Sequence, residues 1–197
     1  MEGYEYFVFS ARTDPRFCSV ENLDEKIEEY WLLSECVRMG NRFPKSVVLD
    51  LTKDAGDYIT DFINNIHSVV IVSQQVKAVF EAEGIGDEKV EYLPIGLRDK
   101  KKKRLKEQYF IANALVKVDC FDWKNSTYAT YPKKPNKIVF SSLRKLVLRE
   151  DQIPNDAKFF RLGELTDKIL IRSDLLNRLK AEELTGMSVT AMGARLL

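Results

Sequence analysis

The chain has 197 residues, 45% apolar and 31% charged, with a formal net charge of +1. That length can bury a sizeable core as one domain or two small halves, and the near-zero charge gives no global field toward nucleic acid or a membrane surface. No apolar run approaches a membrane span, and residues 1–5 lack the basic-then-apolar pattern of a secretory signal.

The three cysteines, Cys18, Cys36 and Cys120, are odd in number, widely spaced and without metal-ligand spacing. They exclude a full disulfide framework and read as free thiols in a reducing cytoplasm.

In chain order, residues 4–10 are aromatic and β-branched and predict a first strand. Leu23, Ile27, Tyr30 and Trp31 fall on one helical face, with Asp24, Glu25, Glu28 and Glu29 opposite. A helix is expected there, capped by Asn22 and ending before Gly40. Residues 46–51 follow Phe43-Pro44 and read as a strand. Residues 57–64 read as one or two helical turns burying Ile59, Phe62 and Ile63.

A short block then occurs twice, one hundred residues apart. Ile71, Ser73, Glu83 and Gly86 match Ile171, Ser173, Glu183 and Gly186 without gaps. Apolar residues also match at Val69/Ile169, Val70/Leu170, Val76/Leu176 and Val79/Leu179. Such internal similarity reports architecture. It predicts strand, serine cap, short helix, glycine and strand, used twice, with Ser73 and Ser173 as the caps. Gly84 or Gly86 is expected to end the first helix and Gly186 the second. Strands are expected at residues 90–93 and 187–192.

Between the copies, residues 99–106 form a charge run that separates possible halves 1–98 and 107–197. Each half is small for a stable core, so one compact domain over 1–197 is expected. Residues 109–118 read as a strand, 127–136 as an irregular loop, and 138–140 and 143–148 as strands. The fold class is α+β, a mixed, mainly antiparallel sheet with short helices and the twice-used unit.

Catalytic patterns are sparse. His67, the sole histidine, stands at a strand entrance, where a structural role is the ordinary reading. No nucleophile elbow, phosphate-binding glycine loop or zinc spacing is present. Asp119 and Asp122 bracket Cys120 and Phe121 after a long strand. Paired carboxylates there suit a metal or acid–base site, or a turn in which aspartates bond nearby amides. The run Lys100-Lys101-Lys102-Lys103-Arg104 suits phosphates, or a solvated loop that protects a sheet edge. No cofactor or metal is expected.

The run from Tyr109-Phe110-Ile111-Ala112-Asn113 through Val118-Asp119-Cys120-Phe121-Asp122 resembles the core of a bacterial polymorphic-toxin immunity family, the eleventh-numbered one, formerly a domain of unknown function. Phe159-Phe160-Arg161-Leu162, Ile169-Leu170-Ile171-Arg172-Ser173 and Glu183-Leu184-Thr185-Gly186-Met187 look like its closing segment. The similarity extends over about residues 57–189, and the first fifty residues match loosely. Arg172 departs from the apolar or small residue expected before the serine, which would suit an edge strand.

The resemblance implies a small, non-enzymatic, cytoplasmic protein that neutralises a toxin by binding it. The partner is then a cognate toxin domain, with neither membrane nor nucleic acid involved. Two alternatives stand beside it. One is a nucleic-acid-associated accessory protein using Lys100 to Arg104; the other is a hydrolase or metal enzyme centred on Asp119 and Asp122. Tight interfaces concentrate energy in aromatic and arginine anchors. The loop after Asp122 supplies Trp123, Tyr128 and Tyr131 as candidate partner contacts, and the acidic face of residues 24–29 is the next place to look.

Overall fold

The structure is a computed structural model that describes residues 3–139 and 142–195. In chain order it contains β1 (Tyr6–Ala11), β2 (Ser19–Val20), β3 (Val47–Asp50), β4 (Phe62–Asn65), β5 (Ile71–Ser73), α1 (Gln74–Ala82), β6 (Val90–Arg98), β7 (Tyr109–Ala114) and β8 (Lys117–Val118). Then come β9 (Thr130–Tyr131), β10 (Lys134–Ile138), β11 (Phe159–Leu162), β12 (Leu165–Arg172), α2 (Ser173–Ala181) and β13 (Met187–Ala191).

One sheet runs β13-β1-β12-β11-β8 and another β2-β4-β5-β7-β6-β3, while β9 and β10 form a separate ribbon. The pairings β2–β4, β3–β6 and β8–β11 are parallel and the others antiparallel. The fold is therefore α+β with mixed, mainly antiparallel sheets.

Strand alternation sorts the core into layers. Phe9, Ile169, Ile171 and Phe159 of one sheet join Val72, Val90, Ala112 and Ala114 of the other in a central cluster. Both helices feed it, through Val76, Val79 and Phe80 of α1 and Leu175, Leu176 and Leu179 of α2. The opposite faces are covered by long excursions. Leu33, Met39 and Phe43 lie over Ile71, Ile95 and Ile111 of the six-stranded sheet. Phe121, Leu143, Leu146 and Ile153 lie over Tyr6, Phe160 and Leu170 of the five-stranded sheet.

The repeated block folds as two strand–helix–strand units. In each, the flanking strands run parallel and are separated by one antiparallel strand, β7 between β5 and β6 and β1 between β12 and β13. Each helix closes alike. The Ile85 amide bonds to the Phe80 carbonyl and the Leu184 amide to the Leu179 carbonyl, with Gly84 (φ +75°) and Glu183 (φ +54°) in the left-handed conformation. These equivalent residues lie 99 apart, one fewer than the spacing of the sequence match.

That slip corrects two expectations. Ser73 does cap α1, its Oγ accepting the Val76 amide at 3.3 Å. Ser173 does not cap α2; it is the first helical residue, Arg172 takes the cap position, and the Ser173 hydroxyl accepts the Glu5 amide at 3.2 Å. Gly186 does not stop α2 either, since Glu183 turns the chain. At φ +83°, Gly186 instead passes over β4, where a Cβ would lie 2.4 Å from the Phe62 carbonyl oxygen.

Other elements differ from the sequence reading. Residues 23–39 form turns and a 3₁₀ helix, Tyr30–Ser34, because Glu29 (φ +53°) breaks the helical path and Leu33 alone of that helix is buried. Within 57–64, β4 begins at Phe62, drawn into the sheet by pairing with Val72, and Ile59 is exposed. Residues 143–148 make only isolated bridges, Lys145 with Thr127 and with Arg195, and Leu148 with Phe121. The loop 127–136 contains most of the ribbon, and Phe140 lies outside the described residues. β12 is the middle strand of its sheet rather than an edge. Arg172 is tolerated at its end because its guanidinium makes two bonds to the Asp174 carboxylate, at 2.8 and 2.9 Å, and covers the Tyr4 ring.

Candidate functional site

The loop aromatics divide into two kinds. Trp123 and Tyr128 pack edge-on against buried Phe121, with ring centroids 4.9 and 5.2 Å from it, and the Tyr128 hydroxyl donates to the Trp123 carbonyl at 3.0 Å. They seal the rim of the outer cluster. Tyr131 stands on the ribbon, 43% exposed, with the Lys137 ammonium 6.0 Å from its ring. The structure therefore joins Trp123 to Tyr128 and sets Tyr131 apart on the lysine-bearing ribbon.

Asp119 and Asp122 do different jobs. Asp122 closes a turn, its carboxylate accepting the Lys124 and Asn125 amides at 3.0 Å and the Asn125 side chain at 2.6 Å. Those bonds hold its carboxyl below the usual range. The Asp119 carboxylate lies over Gly163, where a Cβ would meet it at 1.7 Å. Nearby Glu164 accepts the Phe121 amide at 3.3 Å, and burial pushes its carboxyl upward. Burial also pushes the Cys120 thiol up to about 12. Among the described residues no three His, Cys, Asp or Glu side chains are grouped to hold a metal ion, and all three cysteines are free.

The basic run sits in the connection between β6 and β7. Asp99 organises it by accepting the Lys101 and Lys103 amides. Lys100 pairs with Asp57 at 2.9 Å, and Lys102 and Arg98 both pair with Asp50. The Arg104 guanidinium covers Gly96. Several of these cations are thus turned onto the protein's own carboxylates and backbone rather than outward as a phosphate cradle.

Further apolar exposure lies elsewhere, in part on residues that the sequence reading placed on one helical face. Tyr30 and Trp31 are 46% and 54% exposed, and Ile66, in the turn between β4 and β5, is 77% exposed. His67 joins the two segments, its ring 5.8 Å from that of Tyr30 and its Nε2 2.8 Å from the Glu21 carbonyl oxygen. Residues 21–35 carry six carboxylates against one lysine. Those of Glu21, Glu25 and Glu28 have no hydrogen-bond or ion-pair partner among the described residues. A cleft of about 670 Å3 adjoins this segment, with Glu21, Asp24, Glu25 and Asp54 in its lining.

Buried polar groups hold this segment in place. Arg161, fully buried in β11, donates to the carbonyls of Leu33 (3.1 Å), Ser68 (3.2 Å) and Thr166 (2.7 Å). Burial draws its pKa below the ordinary arginine value. Glu91 accepts the Met39 and Gly40 amides at 2.8 Å and the Asn113 side chain at 3.0 Å. The sequence signal for Arg161 was a charge within the apolar run Phe159-Phe160-Arg161-Leu162; the signal for the exposed patch was two adjacent aromatics inside an acidic stretch.

These features are an α+β fold, buried polar networks centred on Arg161 and Glu91, and an acidic, aromatic-bearing surface. The model of the immunity protein family Imm11 matches residues 10–194, and the chain belongs to that family. The match reaches well into the first fifty residues, further than the motif resemblance did. No curated protein matches the chain significantly. Among the described residues no helix is long and apolar enough to cross a membrane.

Proposed function

We propose that this chain is a cytoplasmic, non-enzymatic bacterial immunity protein that binds a cognate toxin domain and neutralises it. Membership of the immunity family over nearly the whole chain carries this reading. The polar chemistry is consistent with it. The carboxylates of Asp122 and Glu91 and the guanidiniums of Arg161 and Arg172 are each engaged in holding backbone or neighbouring side chains. Of the loop aromatics, Trp123 and Tyr128 are packed on Phe121, and Tyr131 stands exposed on the ribbon, placed for a peripheral contact.

The test is co-expression in a bacterial host with the toxin encoded beside this chain's gene. Growth arrest should be relieved by the chain. Arrest that persists despite a folded, abundant chain would contradict the proposal.

A further inference from the structure

We infer that the surface formed by Tyr30, Trp31, Ile66 and His67, rimmed by Glu21, Glu25 and Glu28, is the docking site for a basic face of the toxin domain. This rests on the toxin-binding reading above and names the surface that performs it. Trp31 (54% exposed) and Tyr30 (46%) stand with ring centroids 6.0 Å apart, Tyr30 meets the His67 ring at 5.8 Å, and Ile66, beside His67 in the β4–β5 turn, is 77% exposed. Exposed apolar groups gathered in one place and rimmed by polar residues mark interaction sites, and Trp and Tyr are the commonest energetic anchors of interfaces.

The charge around them fixes the partner's chemistry. The three unpartnered carboxylates leave this segment strongly acidic in a chain of net charge +1. Elsewhere the acidic groups are largely consumed internally, as Asp50 is by Arg98 and Lys102. A surface bearing lysines and arginines around an apolar depression is complementary; an acidic one is repelled.

The surface is also pre-organised. It is built from two segments distant in sequence, the 3₁₀ helix Tyr30–Ser34 and the β4–β5 turn. The Arg161 guanidinium reaches both, through the Leu33 and Ser68 carbonyls. The Asn65 side chain bonds to the Val69 carbonyl and the His67 amide within the turn. Anchors already fixed before association lose less freedom on binding.

The test is titration of the chain against the purified, catalytically inactivated toxin domain encoded beside its gene. Trp31→Ala should weaken binding about 30-fold or more, with unchanged circular dichroism because the side chain is exposed. The double variant Glu25→Lys, Glu28→Lys should slow association about tenfold at low salt, a difference that vanishes at high salt. Tyr131→Ala should change affinity by less than about threefold, the range of peripheral contacts. Wild-type affinity in both the Trp31 and the charge-reversed variants would overturn the assignment while leaving toxin binding intact. Absence of binding by the unmodified chain would overturn the toxin-binding reading, and this assignment with it.

Discussion

Ser73 bonds in three directions, accepting the Val76 amide, donating to Asp61 at 2.8 Å and giving its own amide to the Asp61 carbonyl. Ser173 offers its hydroxyl only to the exposed Glu5 amide. Ser73→Ala should therefore cost about 1–2 kcal/mol and Ser173→Ala a few tenths, by urea denaturation; equal costs would show that both act as caps. Asp174 gives a pH-dependent contribution. Its carboxyl is lowered to about 2 from the ordinary 3.8 by the Arg172 hydrogen bonds. A depressed carboxyl contributes stability that is full above about pH 4 and is lost as pH falls through about 2. Asp174→Asn should cost about 1–2 kcal/mol at pH 7, with partial solvent screening included, and the gap to the unmodified chain should close across that window. A gap of the same size at pH 2 would exclude the carboxylate as its source. At this scale the sequence was informative where a side chain acts on its own neighbours: the cap at Ser73 and the turn at Asp122 were both readable. It misled at Ser173, where a one-residue slip between sequence match and backbone removed the cap, and was silent on Arg161, two of whose three acceptors, the Leu33 and Ser68 carbonyls, lie far away along the chain.

Strands were legible wherever two-residue alternation or a short β-branched and aromatic run marked them, as in β1, β3, β6, β7 and β13. Residues 23–39 were misread because their helical spacing of apolar side chains is incidental. Ile27 and Leu33 insert into the core from a turn and a short 3₁₀ helix, while Tyr30 and Trp31 remain outside. What fixes that excursion is tertiary: Arg161 at one end and Glu91 at the other, each burying a charge to satisfy backbone groups. Arg161→Met keeps much of the volume but removes the donors to three carbonyls. It should destabilise the fold by about 3 kcal/mol and raise amide exchange in residues 30–36 and 65–70 above that of β7. A loss under about 1 kcal/mol would mean that those carbonyls find other donors.

Across the whole molecule, both sheets and both helices feed one central cluster, and β6 and β7 pair directly across the lysine-rich connection. We propose that residues 1–98 and 107–197 do not fold independently. Thermal unfolding should then follow a single transition with coincident far-ultraviolet and tryptophan signals; two resolved transitions would restore the halves as separate units. The two tryptophans suit this test because Trp31 belongs to the 3₁₀ helix whose Leu33 packs on the six-stranded sheet and Trp123 packs on the outer cluster of the five-stranded sheet. The central claim concerns neutralisation, and the most direct measurement is a titration of the proposed cognate toxin domain, in its active form, with the chain, followed by the toxin's own activity. Activity should fall linearly and vanish near one equivalent of the chain, as tight one-to-one binding requires. Undiminished toxin activity in a several-fold excess of the folded chain would contradict the account.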